Sequence, residues 1–316
     1  MPGQTLSDIR GLLAAHGLSP RHRFGQNFLI DLNLMRKLVD AADLRPGDVV
    51  LEVGAGTGSL TELLLERGVR VIAVEIDHGF QELLRERFGH HPRVTLVACD
   101  VLSTKHRIAP NVLDALCGNT PDAGASRKLV ANLPYQIATP LLMELLLQPH
   151  DSPRLDSKPG PDGDEASTSE PLRPCPNVAP LVCTLQKEVA ERFLAPAKTG
   201  GYGPISVIAQ TLAEIERIAT IPSAAFWPRP KVESAMLAIR PRSPLEHGPA
   251  DIAAFAAFVR RGFLHRRKTL GKAAQSWNEG NGSDALERAG ISSSSRPGDL
   301  SPSEWQHFFA AAAARP

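Results

Sequence analysis

The chain has 316 residues, 42% of them hydrophobic and 22% charged, with a formal net charge of +1. That length supports a full-sized buried core, and so small a net charge excludes disorder along the whole chain. No run reaches the roughly 18 apolar residues a membrane helix needs, because the longest, Leu141 to Leu147, contains Glu144 and stops at Gln148 and Pro149. Residues 1–20 lack the continuous apolar stretch of a secretion signal, so a cytoplasmic location without membrane attachment is expected. Cys99, Cys117, Cys175 and Cys183 share no C-x-x-C spacing and His90 is next to His91, which suits neither a metal site nor a disulfide framework.

Along the chain, the apolar run Val49 to Val53 leads at once into Gly54, Gly56 and Gly58 and then into Leu60, Leu63, Leu64 and Leu65 at helical spacing. This is strand, glycine turn, helix. A second strand follows at Val69 to Val74, a helix from His78 to Phe88 and a third strand at Val94 to Ala98. Residues 102–127 have no clear period and are expected to be loop, with one short helix at Val112 to Leu116. Then come a fourth strand at Lys128 to Asn132, a helix from Pro140 to Leu147, a fifth strand at Leu181 to Leu185 and a last strand at Val232 to Ile239. Strands alternating with helices predict an α/β fold with a mainly parallel sheet.

Between the fourth and fifth strands, residues 151–178 carry six acids and six prolines and little apolar surface, the composition of a mobile insertion. Beyond Pro241, Ser243 and Pro244 a linker is expected, placing domains at 1–242 and 243–316. Phe255, Phe258, Val259, Phe263 and Leu264 share one helical face, so the second domain is expected to be small and helical. Residues 252–278 hold no acid but do hold Arg260, Arg261, Arg266, Arg267, Lys268 and Lys272, a balance that favours phosphate contact over a merely solvated face. His16, Arg21, His22 and Arg23 are candidates to extend that surface.

The glycine turn stands where a ligand can approach the backbone of an open α/β sheet. Glu75 ends the second strand about 20 residues after the turn, placed to accept ribose hydroxyls, and Asp100 ends the third, placed to accept from an adenine amine. This order fits a dinucleotide or S-adenosylmethionine. Ser59 stands where a dinucleotide fingerprint wants glycine or alanine, which favours the second. At the end of the fourth strand, Asn132-Leu133-Pro134-Tyr135 offers an amide oxygen and a fixed carbonyl to accept both hydrogens of an exocyclic amine, with an aromatic ring beside them. The adenine N6 lone pair is delocalised into the ring, so such acceptors assist its attack on a sulfonium methyl.

These residues, with Arg23-Phe24-Gly25-Gln26-Asn27-Phe28-Leu29, the run Gln186 to Arg192, Tyr202-Gly203, Ser206-Val207, Phe226 to Val232 and Arg266 to Leu270, resemble the ribosomal RNA adenine N6-dimethyltransferases, and most of all the bacterial small-subunit type. The resemblance implies a Rossmann-like methyltransferase fold. It implies S-adenosylmethionine bound by Asn27, Leu29, Gly54, Gly56, Glu75, Ile76, Asp100, Val101 and Asn132. It also implies that Asn132, Leu133 and Pro134 orient N6 while Tyr135 and Phe226 sandwich a flipped adenine, a base that must leave its stack to meet an enclosed methyl donor. Partners implied are small-subunit ribosomal RNA and the immature 30S subunit, met by a monomer.

Residues 151–178 and 103–127 are longer than that pattern needs, and Gly271-Lys272 departs from its usual residues. The competing readings are a large-subunit methyltransferase of the antibiotic-resistance type, a ribosome-assembly factor without catalysis and, remotely, a nicotinamide oxidoreductase. The intact Gly54, Glu75, Asp100 and Asn132 to Tyr135 argue against lost catalysis.

Overall fold

A computed structural model describes residues 4–21, 25–105, 107–148, 177–242, 249, 251–274 and 282–314. The middle of its five parallel strands is β2 (Val49–Val53), every residue of which is buried. On one side β2 pairs in parallel with β3 (Arg70–Glu75), and β3 with β4 (Val94–Ala98). On the other it pairs in parallel with β7 (Arg127–Asn132), and β7 with β8 (Val178–Gln186). Two further strands, β11 (Ser234–Pro241) and β9 (Ala213–Ile221), close the seven-stranded sheet, β11 running antiparallel to both β8 and β9. The expected mainly parallel sheet is therefore present, with a two-strand antiparallel extension. Because the chain steps outward from β2 in one direction and then returns to its other side, a crevice opens between the carboxyl ends of β2 and β7, where open α/β sheets bind ligands.

Alternation along the strands divides the core. Val50, Val71, Ala73, Val130 and Val182 belong to one apolar cluster with Met35, Leu38 and Val39 of α2 (Leu32–Asp40), Leu60, Leu63 and Leu64 of α3 (Ser59–Glu66), and Leu84 and Phe88 of α4 (His78–Phe88). Leu51, Ile72, Leu129, Leu181 and Cys183 face the other way, onto α5 (Pro110–Gly118), α6 (Tyr135–Leu147), α7 (Lys187–Leu194) and α8 (Pro204–Leu212). Asp31 caps the start of α2, accepting from the N–H groups of Asn33 and Leu34.

Several boundaries move. Helix α6 begins at Tyr135, five residues earlier than expected, with Pro140 inside it. Proline removes one bond to the carbonyl of Gln136, yet Ala138, Leu141, Leu142, Leu145 and Leu146 bury a whole face that outweighs it. Residues 102–108 are not all loop, since β5 (Leu102–Thr104) and β6 (Arg107–Ile108) form a hairpin, and the expected helix at Val112 to Leu116 is present but longer, α5 extending from Pro110, a residue suited to a first helical turn, to Gly118. Most of the expected insertion, residues 151–176 of 151–178, lies outside the described residues, but its last residue, Val178, is a buried member of β8.

The remaining short elements are α1 (Leu6–Ala15), β1 (Phe28–Leu29) and β10 (Phe226–Trp227), the last two paired antiparallel. After residues 243–248, which fall outside the description and include the expected boundary, come α9 (Ile252–Phe263), α10 (Leu270–Ala274), α11 (Gly282–Arg288) and α12 (Pro302–Ala313). Phe255, Val259, Trp305 and Phe308 of these helices continue the apolar cluster that contains Val207 and Ile208 of α8. The Tyr202 hydroxyl donates to the Leu300 carbonyl at 2.8 Å, tying the two parts further. Gly271 has a local reason: a Cβ there would stand 2.9 Å from both the Cβ and the carbonyl oxygen of Ser293.

Candidate active site

The site grows from the carboxyl ends of β2, β3, β4 and β7. After β2, Gly54, Gly56 and Gly58 have φ of 77°, 53° and 77°, conformations that side chains rarely adopt. Crowding demands glycine as well. A Cβ on Gly56 would lie 2.9 Å from the Phe28 ring and one on Gly54 would lie 3.2 Å from the Pro134 ring, so the turn is pressed between β1 and the segment after β7.

Glu75 fixes this turn to the neighbouring strand. Its carboxylate accepts from the N–H of Gly56 at 2.9 Å and from those of Ile76 and Asp77 at 3.0 and 2.9 Å. Burial nevertheless pushes its carboxyl above the usual range, outweighing the three donors. Glu52, one strand over and fully buried, is pushed up to about 8 by burial, and its carboxylate accepts from the Thr61 hydroxyl at 2.6 Å. Asp100 accepts from the N–H of Leu102 at 2.9 Å and stays exposed.

Asn132, the last residue of β7, is held at both ends of its amide. Its Nδ2 donates to the Asn27 carbonyl at 2.9 Å, and its Oδ1 accepts from the hydroxyl of Thr184. The Leu133 N–H donates to the Thr184 carbonyl at 3.3 Å. Tyr135 opens α6 with its hydroxyl 2.7 Å from Ser234 Oγ on β11, and burial raises the phenol above its ordinary value.

One cavity of about 130 Å³ collects nearly all the expected residues: Asn27, Gly54, Gly56, Glu75, Ile76, Asp100, Val101, Asn132, Leu133, Pro134, Tyr135 and Phe226 line it. Leu29 does not. Its side chain is buried in the α2 side of the core and borders a smaller cavity of about 40 Å³ beside Glu52, while its backbone pairs with Phe226. Gln26 and Phe28, which the sequence motif contains without assigning them a role, also line the larger cavity, as does Gln136, which sequence reasoning missed along with the buried hydroxyls of Thr184 and Ser234 behind it. Polar residues inside otherwise apolar strands were the available signal for the last two.

The basic residues lie elsewhere. Arg260 and Arg261 end α9, Lys272 sits on α10, and Arg266, Arg267 and Lys268 occupy the exposed connection between them. Arg266 contributes one bond, to the Gly200 carbonyl. Two of the N-terminal candidates are engaged internally: His16 with Glu86 at 2.9 Å and Arg21 with Asp77 at 3.4 Å. His22, Arg23 and Phe24 lie outside the described residues. In the run Gln186 to Arg192, Lys187 pairs with Glu233 and Arg192 with Glu188, which makes that run a frame for α7.

The lining suits a nucleoside carrying a charged, apolar-jacketed side arm. Glycine backbone is exposed to close approach, Glu75 and Asp100 bring acceptors that no cation pairs with among the described residues, and Ile76, 43% exposed, offers an apolar surface between them. Such a cavity at the switch point of a mainly parallel sheet fits the class of Rossmann-like S-adenosylmethionine-dependent methyltransferases.

Comparison with known proteins narrows the class. The chain matches the family described as ribosomal RNA adenine dimethylase over residues 17–314, and it belongs to that family. A ribosomal RNA small subunit methyltransferase A of Phenylobacterium zucineum is 38% identical over 267 residues, covering 84% of this chain and 80% of that protein. One of the same name from Pelotomaculum thermopropionicum is 36% identical over 304 residues, covering 94% and 92%. The fold is shared with a dimethyladenosine transferase of Plasmodium falciparum (TM-score 0.65, 21% identity, 87% and 94% covered) and with the 23S rRNA methyltransferase ErmE (TM-score 0.59, 23% identity, 90% and 99% covered). The chain is thus a ribosomal RNA adenine dimethyltransferase that uses S-adenosylmethionine.

Proposed function

We propose that this enzyme dimethylates N6 of two adjacent adenines in a 3′-terminal hairpin of small-subunit (16S) ribosomal RNA, acting as a cytoplasmic monomer on the immature 30S subunit during ribosome biogenesis. The observation that carries the reading is the meeting of Asn132, Leu133, Pro134, Tyr135 and Phe226 with Glu75 and Asp100 on one cavity. The names of the curated relatives support the small-subunit target; the likeness to ErmE concerns the fold.

S-adenosylmethionine supplies an electrophilic methyl on a sulfonium. Gly54, Gly56, Glu75, Ile76, Asp100 and Val101 would hold its nucleoside part, and Asn27 its side arm. In this reading, the free lone pair of Asn132 Oδ1 and the backbone carbonyl of the Leu133 to Pro134 segment accept the two N6 hydrogens. That arrangement would favour a more tetrahedral nitrogen, making its lone pair more available for attack on a sulfonium methyl. Tyr135 and Phe226 stack on the flipped base, turning a bimolecular attack into an oriented one. No side chain need act as base: burial keeps the Tyr135 phenol protonated, and the amine becomes strongly acidic once methylated, so water takes the proton.

Residues 243–316 would serve as the RNA-binding domain, with Arg260, Arg261, Arg266, Arg267, Lys268 and Lys272 contacting phosphates without reading sequence. The deciding experiment is transfer of labelled methyl from S-adenosylmethionine to small subunits lacking the modification, followed by nucleoside analysis and mapping. N6-dimethyladenosine at the adjacent pair is the expected result. Label on large-subunit RNA instead would assign the target to the other subunit, and tight subunit binding without label would make the chain an assembly factor.

A further inference from the structure

We infer that Thr184 is a positioning residue for methyl transfer, setting the plane of the Asn132 amide and the backbone that follows it, from a place behind the cavity wall. The inference rests on the reading of Asn132 as the N6 acceptor.

An asparagine amide has two ends of nearly equal shape and opposite hydrogen-bonding character. If it flipped, Nδ2 would meet the N6 hydrogens with hydrogens of its own, and the site would repel the amine it must align. One bond to an amide leaves it free to rotate; bonds at both ends define its plane. The Asn27 carbonyl accepts from Nδ2 at 2.9 Å, and the Thr184 hydroxyl donates to Oδ1 from the other side. Oδ1 keeps a second lone pair for the substrate.

Thr184 has a second hold on the same segment. Its carbonyl accepts from the N–H of Leu133, so the strand position that fixes the side chain of Asn132 also fixes the peptide leading to Pro134. Cα pairing sets this geometry: Thr184 lies opposite Asn132 on one side and Met236 on the other. Thr184 is completely buried and does not line the cavity. Its neighbours along β8, Val182, Cys183 and Leu185, are buried apolar residues, so a hydroxyl here has Asn132 as its partner and no solvent to replace it.

The test compares Thr184→Val, which keeps the shape and removes the hydroxyl, with Thr184→Ser, which keeps the hydroxyl, and with Asn132→Ala, all on small subunits lacking the modification. Single-turnover methyl transfer, subunit affinity, S-adenosylmethionine affinity and thermal midpoint are measured for each. Thr184→Val is expected to slow methyl transfer about tenfold, with both affinities within about twofold of the parent, and Thr184→Ser to restore most of the rate. Should Thr184→Val not fold, Thr184→Ala gives the same reading.

A parental rate in Thr184→Val overturns the inference. So does equal slowing by Val and Ser, which would assign the effect to packing, or a loss of cofactor or subunit affinity matching the loss of rate. A full rate in Asn132→Ala would instead overturn the reading of Asn132 itself, whatever Thr184 does.

Discussion

The two ends of the central strands handle buried charge in opposite ways. At the amino ends of β2 and β7, Asp48 and Lys128 are both buried and pair at 2.9 Å; Asp48 also accepts from the N–H groups of Arg45 and Ser126, and Lys128 donates to the Asp43 carbonyl. At the carboxyl ends, Glu52 and Glu75 are buried without any cation among the described residues, and Asp100 lies nearby, also unpaired with a cation. Burial alone would raise Asp48, but its N–H donors and Lys128 outweigh it and hold the carboxyl below the usual range. Glu52 and Glu75 go the other way. A closed network stabilises the fold, whereas Glu75 and Asp100, which line the larger cavity and accept only from N–H groups among the described residues, keep acceptor capacity for a ligand.

Four experiments sharpen or break this contrast. The largest effect is expected at the open end: Asn132→Ala should lower methyl transfer by about a thousandfold or more while leaving most of the RNA affinity, which the proposed function assigns to phosphate contacts elsewhere. Parallel filter-binding and transfer assays check this, and equal losses in both would remove Asn132 from the chemistry. At the closed end, Lys128→Met strands the Asp48 carboxylate in the core and should cost roughly 3 to 5 kcal/mol in urea unfolding. A cost under about 1 kcal/mol would mean that the pair is not the closed network described.

The two ends should also respond oppositely to pH. For Glu52, the folded-state value of about 8 exceeds the ordinary 4.5. The folded protein therefore holds more protons between those values, and this contribution to stability is full below pH 4.5 and lost as pH rises through about 8. Asp48, lowered on folding, contributes above its ordinary 3.8 and loses that contribution as pH falls through its depressed value. Glu52→Gln keeps an acceptor for Thr61 and removes the titration, so its advantage over the parent should grow by on the order of 3 kcal/mol between pH 5 and pH 8.5. A gap independent of pH in urea titrations at the two values would show that Glu52 is ionised in the fold. The smallest effect concerns the distant helices: replacing Arg266, Arg267 and Lys268 together by Gln should reduce the salt slope of RNA binding by about 2, at about 0.7 per lost contact. An unchanged slope would leave that face merely solvated.

Where the sequence was legible, a residue's role followed from its place in a local pattern. The glycine turn, Glu75 and Asp100 could be placed because parallel strands end at one edge, so three motifs on three successive strands had to converge. Strand β9 escaped notice for a physical reason: as an edge strand, Ala213–Ile221 carries Glu214, Glu216 and Arg217 and buries only its first and last residues, so its hydrophobic pattern is faint. Helix α6 is longer than its local pattern predicts because Pro140 marks a break locally, while the apolar face that overrides it is visible only against the sheet.

The sequence by itself determined the class of fold and the sheet edge at which Gly54, Gly56, Glu75, Asp100 and Asn132 gather, because periodicity, glycine spacing and polar residues at strand ends are local properties. Tertiary structure alone decided how those residues are held. It showed that Leu29 faces the core while Asn27 reaches the cavity, that His16 and Arg21 bond within the protein, and that Thr184 and Ser234 brace Asn132 and Tyr135 from 52 and 99 residues away. Such contacts depend on sheet register, which sets residues from distant parts of the chain side by side and leaves no trace in local composition.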